Sequence, residues 1–307
     1  MERGVHALAI PDGAHLVLAV SGGPDSMALL HGAAGLVRTD GRRWPLTVAH
    51  VDHALRDDSA DDARFVADAA ATLDLACEVR RSDVAALARA EGRSLEDAGR
   101  EARYRFLEEV AARDDAFVAT AHTADDAAET VIINLLRGSG LAGARGIPAR
   151  RGRVLRPFLR ERRAMLRAAL DEAGLAYRLD PSNADPAHLR NRVRHDLLPR
   201  LEALQPGVVE SLTRFARLAG DDDALLDELA DAELEKRRRD GNAVDWHQPP
   251  PRALGRRVLR QFVGDTAPSA ERIEALLDAA EGPRGGLVIE LGGGRRASVR
   301  ERVIRLS

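Results

Sequence analysis

Two short stretches carry the residue types from which chemistry can be built. The first is Ser21-Gly22-Gly23-Pro24-Asp25-Ser26, placed between an apolar run, His15 to Val20, and a segment of helical spacing from Pro24 onward. Without Cβ atoms the two glycines let the backbone approach a ligand closely, and the free N–H groups at the start of a helix favour an anion there. Ser21 and Ser26 add hydroxyls and Asp25 adds a carboxylate, and a carboxylate beside a phosphate site is best explained by a shared Mg²⁺. A Ser/Gly-rich turn after a strand is by itself usually only a turn, but the full string is far more specific. It is not a Walker P-loop, which ends in Gly-Lys-Ser/Thr; the one lysine of the chain is Lys236.

The second stretch runs His122-Thr123-Ala124-Asp125-Asp126-Ala127-Ala128-Glu129-Thr130. At about 100° per residue, His122, Asp125, Asp126 and Glu129 fall within one arc of a helix. Ala124, Ala127, Ala128, Val131, Ile132 and Leu135 take the opposite face. The expectation is a helix that buries its apolar side and presents three carboxylates on the other, to hold a cation, either a metal or an ammonium group. Acidic residues in a first turn are also favoured by the helix dipole, so a solvated helix end is the ordinary alternative.

These residues need elements to position them. Leu46–Val51 reads as a second buried strand after His15–Val20, and Ala76–Val79 and Ala116–Ala121 as a third and a fourth strand. Helices are expected over Ser59–Leu73, from Ser94 with Asp97 in a capping-box arrangement, over Thr123–Arg137 and over Glu161–Ala173. Leu95, Ala98, Ala102, Phe106, Leu107 and Val110 form the apolar stripe of the Ser94 helix. This alternation predicts an α/β fold, a parallel sheet with helices on both faces and ligands at the carboxyl ends of the strands, where Ser21, Asp52 and His122 lie. Gly138–Ile147 reads as a glycine-rich mobile cover and Leu189–Leu204 as a basic helix. A long charged helix from Val208, two short helices and two or three terminal strands follow, with a domain boundary placed near residue 212 (1–212 and 213–307).

Composition sets outer bounds. With 45 % apolar residues the 307-residue chain can pack a large core, and Cys77 alone excludes an internal disulfide and any multi-cysteine metal site. No run of about 18 apolar residues and no signal-peptide pattern is present, so a soluble cytoplasmic protein without membrane contact is expected. Net charge is −3, unevenly placed: 20 acidic residues against 10 arginines from Asp52 to Glu129, then 10 arginines against Glu161 alone from Arg137 to Arg167. That asymmetry suits a polyanion partner beside an acidic pocket. Arginine replaces lysine almost throughout, so part of it reflects composition.

Ser21 to Ser26 resembles the pyrophosphate loop of the N-type ATP pyrophosphatases. His50-Val51-Asp52-His53-Ala54-Leu55-Arg56, Glu101-Ala102-Arg103-Tyr104, the His122 stretch running into Arg137-Gly138-Ser139-Gly140, Asp180-Pro181-Ser182-Asn183, Arg190-Asn191-Arg192-Val193-Arg194 and Leu197-Leu198-Pro199 follow it. Their order is similar to that of the tRNA(Ile)-lysidine synthetase family, over roughly residues 15 to 215, and the ending resembles its short form with one C-terminal domain. Ala54 departs from the usual glycine. The resemblance implies a Rossmann-like, adenine nucleotide alpha hydrolase-like fold and ATP-dependent joining of free L-lysine to the wobble cytidine of tRNA(Ile) with a CAU anticodon, through an adenylated cytidine. It assigns Ser21, Gly22, Gly23, Pro24, Asp25, Ser26 and Asp52 to ATP and Asp25 to Mg²⁺. Asp126 and Glu129 go to lysine, His122 and Arg194 to catalysis, and Arg137, Arg150, Arg151, Arg153 and Arg190 to tRNA, with a C-terminal tRNA-binding domain. His122 is equally readable as a structural cap, and Arg190 and Arg194 as a solvated basic helix. A homodimer stays open. A tRNA thiolase, a small-molecule amidating enzyme and a non-catalytic nucleotide sensor are the rivals; the lone cysteine speaks against the first and the arginine stretch against the second.

Overall fold

Val17 and Leu18 at the centre of β1 (Leu16–Ala19) are shielded on both faces, as a strand in the middle of a parallel sheet must be. The computed structural model describes all residues except 2–3, 6–7, 40, 55–58, 180–187, 265–267 and 283–285. It divides into two compact units, Met1–Leu218 and Ala219–Ser307. Asp180 to Asn183, and Leu55 and Arg56, lie outside the described residues.

In the first unit β1 is followed by α1 (Pro24–Thr39), β2 (Leu46–Asp52), α2 (Ser59–Ala71), β3 (Ala76–Arg81), α3 (Val84–Glu91) and α4 (Leu95–Arg113). Then come β4 (Phe117–Ala119), α5 (Ala124–Leu136), the one-turn α6 (Leu141–Ala144), β5 (Arg150–Arg151), β6 (Val154–Leu155) and α7 (Arg163–Glu172). The sheet order is β3-β2-β1-β4-β6-β5, parallel except for the edge strand β5. Leu18, Met27, Leu29, Leu30, Val48 and Val66 centre one core, while Val17, Phe106, Leu107, Val110 and Val118 fill the other face of the sheet. The expected α/β sheet with helices on both faces is what the chain forms.

Four local expectations change. Leu95 and Leu135 are about half exposed, so neither belongs to its helix's apolar stripe. The segment 138–147 holds α6, and the Asn134 side-chain amide donates to the Gly143 carbonyl at 2.8 Å, so this stretch is tied down rather than a free cover. The basic helix is α8 (Leu189–Arg192) and α9 (Leu198–Leu204) joined by a π turn, Val193–Leu197. An unexpected hairpin, β7 (Arg238–Asp240) and β8 (Ala243–Asp245), follows α10 (Val208–Arg237).

The second unit continues with α11 (Arg252–Val263), α12 (Ala270–Glu281), β9 (Leu287–Gly292), β10 (Arg295–Arg300) and β11 (Val303–Leu306). Its antiparallel sheet, β7-β8-β11-β10-β9, packs Val244, Trp246, Leu291, Val299 and Ile304 against Val258, Leu259, Ile273 and Leu276 of the helices. Alternation along the strands turns Arg296, Arg300 and Arg305 to the other face, where they are exposed.

Candidate active site

The loop after β1 is shaped by its own side chains. Gly22 has φ +88°, a conformation costly for any residue with a Cβ, and a Cβ there would meet Val66 and Phe65. Ser26 is buried; its hydroxyl donates to the Gly23 carbonyl at 2.9 Å and accepts from the Ser21 amide at 3.1 Å. It therefore builds the loop from within, while Ser21, whose hydroxyl lies 3.2 Å from that of Ser26, is the more exposed of the two. The first N–H groups of α1 have no intrahelical acceptor and open the loop to an anion.

Asp25, in the first turn of α1, meets a residue the motifs do not contain. Arg163 Nε donates to Asp25 Oδ2 at 3.0 Å, and the same guanidinium reaches Asp126 Oδ1 at 2.9 Å and Glu129 Oε1 at 3.4 Å. Arg194 donates to Glu129 Oε1 at 2.7 Å and Oε2 at 2.9 Å and to Asp126 Oδ1 at 3.1 Å. Arg190 donates to Glu129 Oε2 at 2.9 Å and Asp126 Oδ1 at 3.3 Å. Three guanidinium groups thus face three carboxylates. Glu129 is 0 % and Asp126 8 % exposed, which corrects the expectation that the carboxylates stand on an open helix face. Arg190 and Arg194 are likewise part of this cluster rather than a solvated helix surface. Arg190 lies in α8, and the π turn that follows Arg192 contains Arg194.

Asp126 has a second task. Its Oδ2 accepts from the Thr123 amide at 2.9 Å and hydroxyl at 2.8 Å, while Thr123 caps the Asp126 amide, a reciprocal capping box at the start of α5. Burial alone would raise the Asp126 carboxyl, but Arg163, Arg190 and the Thr123 amide outweigh it and hold it at about 2. For Asp25 burial wins over Arg163 and pushes the carboxyl above its ordinary value, and its Oδ1 is buried without a partner. Asp125 accepts from the Arg163 amide at 2.8 Å and so caps the start of α7 from a neighbouring helix. The clue in the sequence was Arg162-Arg163 opening a helix, against the preference of the dipole for acids at that end.

His122 ends the connection from β4, its Nδ1 2.9 Å from the Thr120 hydroxyl. Burial, opposed by Asp126 and reinforced by Arg156 and Arg190, lowers its pKa to about 4, so the ring is neutral at physiological pH. Asp52, buried at the end of β2, accepts from the Ala54 amide at 2.9 Å, and Ala54 adopts φ +50°. Nearby, Arg103 Nη2 lies 3.2 Å from His53 Nε2, and burial lowers the His53 pKa to about 4. Ser21, Asp25, Asp52 and His122 therefore occupy one rim of the sheet. Arg150, Arg151 and Arg153 do not join them: they form an edge hairpin in which Arg153 is level with Phe117 at the amino ends of the strands, bound to Asp115. Arg150 and Arg153 both lie over the Phe117 ring, at 5.2 and 5.3 Å. Arg137 is exposed at the end of α5.

This fold, with an anion-binding loop at its rim, defines a nucleotide-binding α/β domain, and a family model described as the PP-loop domain matches residues 2–201. The chain is 43 % identical to a tRNA(Ile)-lysidine synthase of Geobacter sulfurreducens, over 90 % of this chain and 61 % of that protein. It is 45 % identical to one of Salinispora tropica, over 75 % of this chain and 70 % of the relative. By these matches the chain belongs to the PP-loop family and, within it, to the tRNA(Ile)-lysidine synthases. It spans less than two thirds of several relatives, 42 % in Thermus thermophilus. Among solved structures the U34-tRNA thiolase NcsA of Methanococcus maripaludis shares the fold, with a TM-score of 0.59 at 18 % identity, over 71 % of this chain and 78 % of that one. No helix of the described residues is long and apolar enough to cross a membrane.

Proposed function

We propose that the chain joins lysine to the wobble cytidine of tRNA(Ile) with a CAU anticodon, using ATP, a reading supported by its relatives' name, tRNA(Ile)-lysidine synthase. The observation that carries this is Arg163: one guanidinium touches both Asp25 beside the loop and the Asp126–Glu129 pair, so the nucleotide end and the carboxylate end belong to one pocket. Loop amides from Gly22 onward and the Ser21 hydroxyl receive the departing pyrophosphate while the cytosine carbonyl oxygen on carbon 2 takes the adenylyl group. The ε-amine of lysine then attacks that carbon and AMP leaves.

The residues around Asp25 fit a magnesium ion. Its Oδ1 is buried and unpartnered, and no group of three His, Cys, Asp or Glu ligands exists among the described residues, so the ion would be held by Asp25 together with substrate phosphates. When bound it supplies positive charge to the β- and γ-phosphates. Every oxygen of Asp126 and Glu129 is engaged by arginine or by the cap, so an incoming ammonium reaches them by replacing a guanidinium, and Arg190 or Arg194 is then released toward substrate phosphate. To His122, neutral and acted on by the Asp126 charge, we assign the passing on of the proton that the amine must lose. Arg137, Arg150 and Arg151 are proposed contacts to the tRNA backbone, and the exposed Arg296, Arg300 and Arg305 sheet face of residues 219–307 is proposed to serve the same purpose. ATP–pyrophosphate exchange with and without CAU-anticodon tRNA, followed by nucleoside analysis, tests the reading. Lysidine in the product and a loss of at least about 100-fold in adenylation by Asp25→Asn are expected; exchange independent of this tRNA, or near-normal exchange in the variant, would refute it.

A further inference from the structure

Arg156 directly follows β6, at the rim of the sheet that carries the loop and His122. At 5 % exposure it is the most interior arginine among the described residues. A guanidinium carries five N–H donors and cannot give up its charge. Here a single bond is made, from Nη1 to the Pro148 carbonyl at 2.7 Å; Nε is buried without an acceptor, and no carboxylate of the described residues stands within ion-pair distance. Arg163, Arg190, Arg194 and the half-buried Arg257 each have carboxylate partners. A buried cation left without one is strongly unfavourable. Holding Pro148 explains one donor and leaves four.

The surroundings say what would complete it. The Thr120 amide donates to the carbonyl of Leu155, the residue before Arg156, and Thr120 also holds His122, so the ends of β4 and β6 place Arg156 beside His122. Directly after His122 in the chain, Thr123 and Asp126 begin α5, with Glu129 one turn on. The charges of Arg156 and of Asp126 thus both act on one imidazole, and Asp126 and Glu129 are already held by Arg163, Arg190 and Arg194. That arrangement complements a molecule with an anionic and a cationic end.

We propose that Arg156 binds the α-carboxylate of the free amino acid, whose amino groups face Asp126 and Glu129. This rests on the lysine-joining function proposed above. A carboxylate there pairs the buried guanidinium through its unused donors in the two-pronged manner arginine favours. The site thereby selects a free amino acid over a plain diamine or a peptide-bound lysine.

The test compares L-lysine with L-lysinamide, whose neutral amide replaces the carboxylate, in the intact chain with ATP and CAU-anticodon tRNA. The unaltered protein is expected to favour lysine in kcat/KM by roughly 100-fold. Arg156→Gln should lose that preference through a raised KM for lysine, leave lysinamide turnover unchanged, and keep lysine-independent pyrophosphate release. Arg156→Lys, which retains the charge but not the fork, should retain part of the preference, and it supplies the same ratio should the glutamine variant not fold. An equal fall for both amines would make Arg156 a structural staple, and loss of pyrophosphate release would place its anion on the nucleotide or RNA; either overturns the proposal. Lysidine formation with the preference undiminished in both variants removes the subsite alone, whereas no lysidine from the unaltered protein removes the underlying function.

Discussion

Asp126 and Glu129 show how far residue type reaches. The acids themselves, and their place on one arc of a helix, were readable from spacing. Their burial was not, because it is produced by Arg163, Arg190 and Arg194, which are 34 to 68 residues away and belong to three other segments. Removing one charge from such a set leaves guanidinium groups uncompensated. Glu129→Gln is therefore expected to cost about 3 kcal/mol of stability, read from the urea midpoint. At permissive temperature its defect should fall on lysine transfer: single-turnover reactions should accumulate adenylated tRNA. Normal transfer with a wild-type midpoint would show the cluster to be ornamental. Ser26 teaches the complementary lesson, since its hydroxyl was expected to face the ligand and is instead spent inside the loop.

At the scale of elements, strands and helices with clean periodicity were legible, including the capped start at Ser94 and the helix beginning near Thr123, whose Thr123–Asp126 capping box was not foreseen. The short α3 was missed because Asp83, its cap, is followed by an alanine-rich run without a distinct stripe. The β7–β8 hairpin was hidden by the charged, exposed Arg238-Arg239-Asp240. The π turn, where Val193 and the adjoining Leu198 pack with Ala128 and Ile132 of α5, leaves no mark in spacing. The end of β2 carries a local conflict that sequence did expose: Ala54, in place of glycine, is held at φ +50°. A left-handed alanine costs about 1 kcal/mol, partly offset by the greater freedom of glycine when unfolded. Ala54→Gly should thus stabilise the first unit by about 0.5 kcal/mol or more; a lower denaturation midpoint would show that this strain is absent.

For the whole molecule the balance of charge sets the response to acid. His122 and His53, both near 4 when folded, stay neutral in the native protein but take up protons below about 6.5 when unfolded. The unfolded chain then binds more protons, so stability falls as pH drops from 6.5 to 4, by on the order of 3 kcal/mol for His122. Asp126 extends the loss from about pH 4 toward 2, since its depressed carboxyl stabilises the fold only while ionised in both states. Urea midpoints followed through the buried Trp44, in a Trp246→Phe background, should decline steadily across this range, and His122→Asn should flatten only the part above pH 4. The cations of the site are all arginines. An activated cytidine is an electrophile that any neutral amine nearby can capture, and a lysine side chain on the wall of this pocket would compete with free lysine and fasten the RNA to the protein. Guanidinium groups give the same positive charge without a nucleophile. An Arg190→Lys or Arg194→Lys variant, given ATP and the tRNA but no lysine, should accordingly consume itself in a covalent RNA–protein adduct that survives denaturing electrophoresis, whereas the unaltered chain should release its tRNA clean.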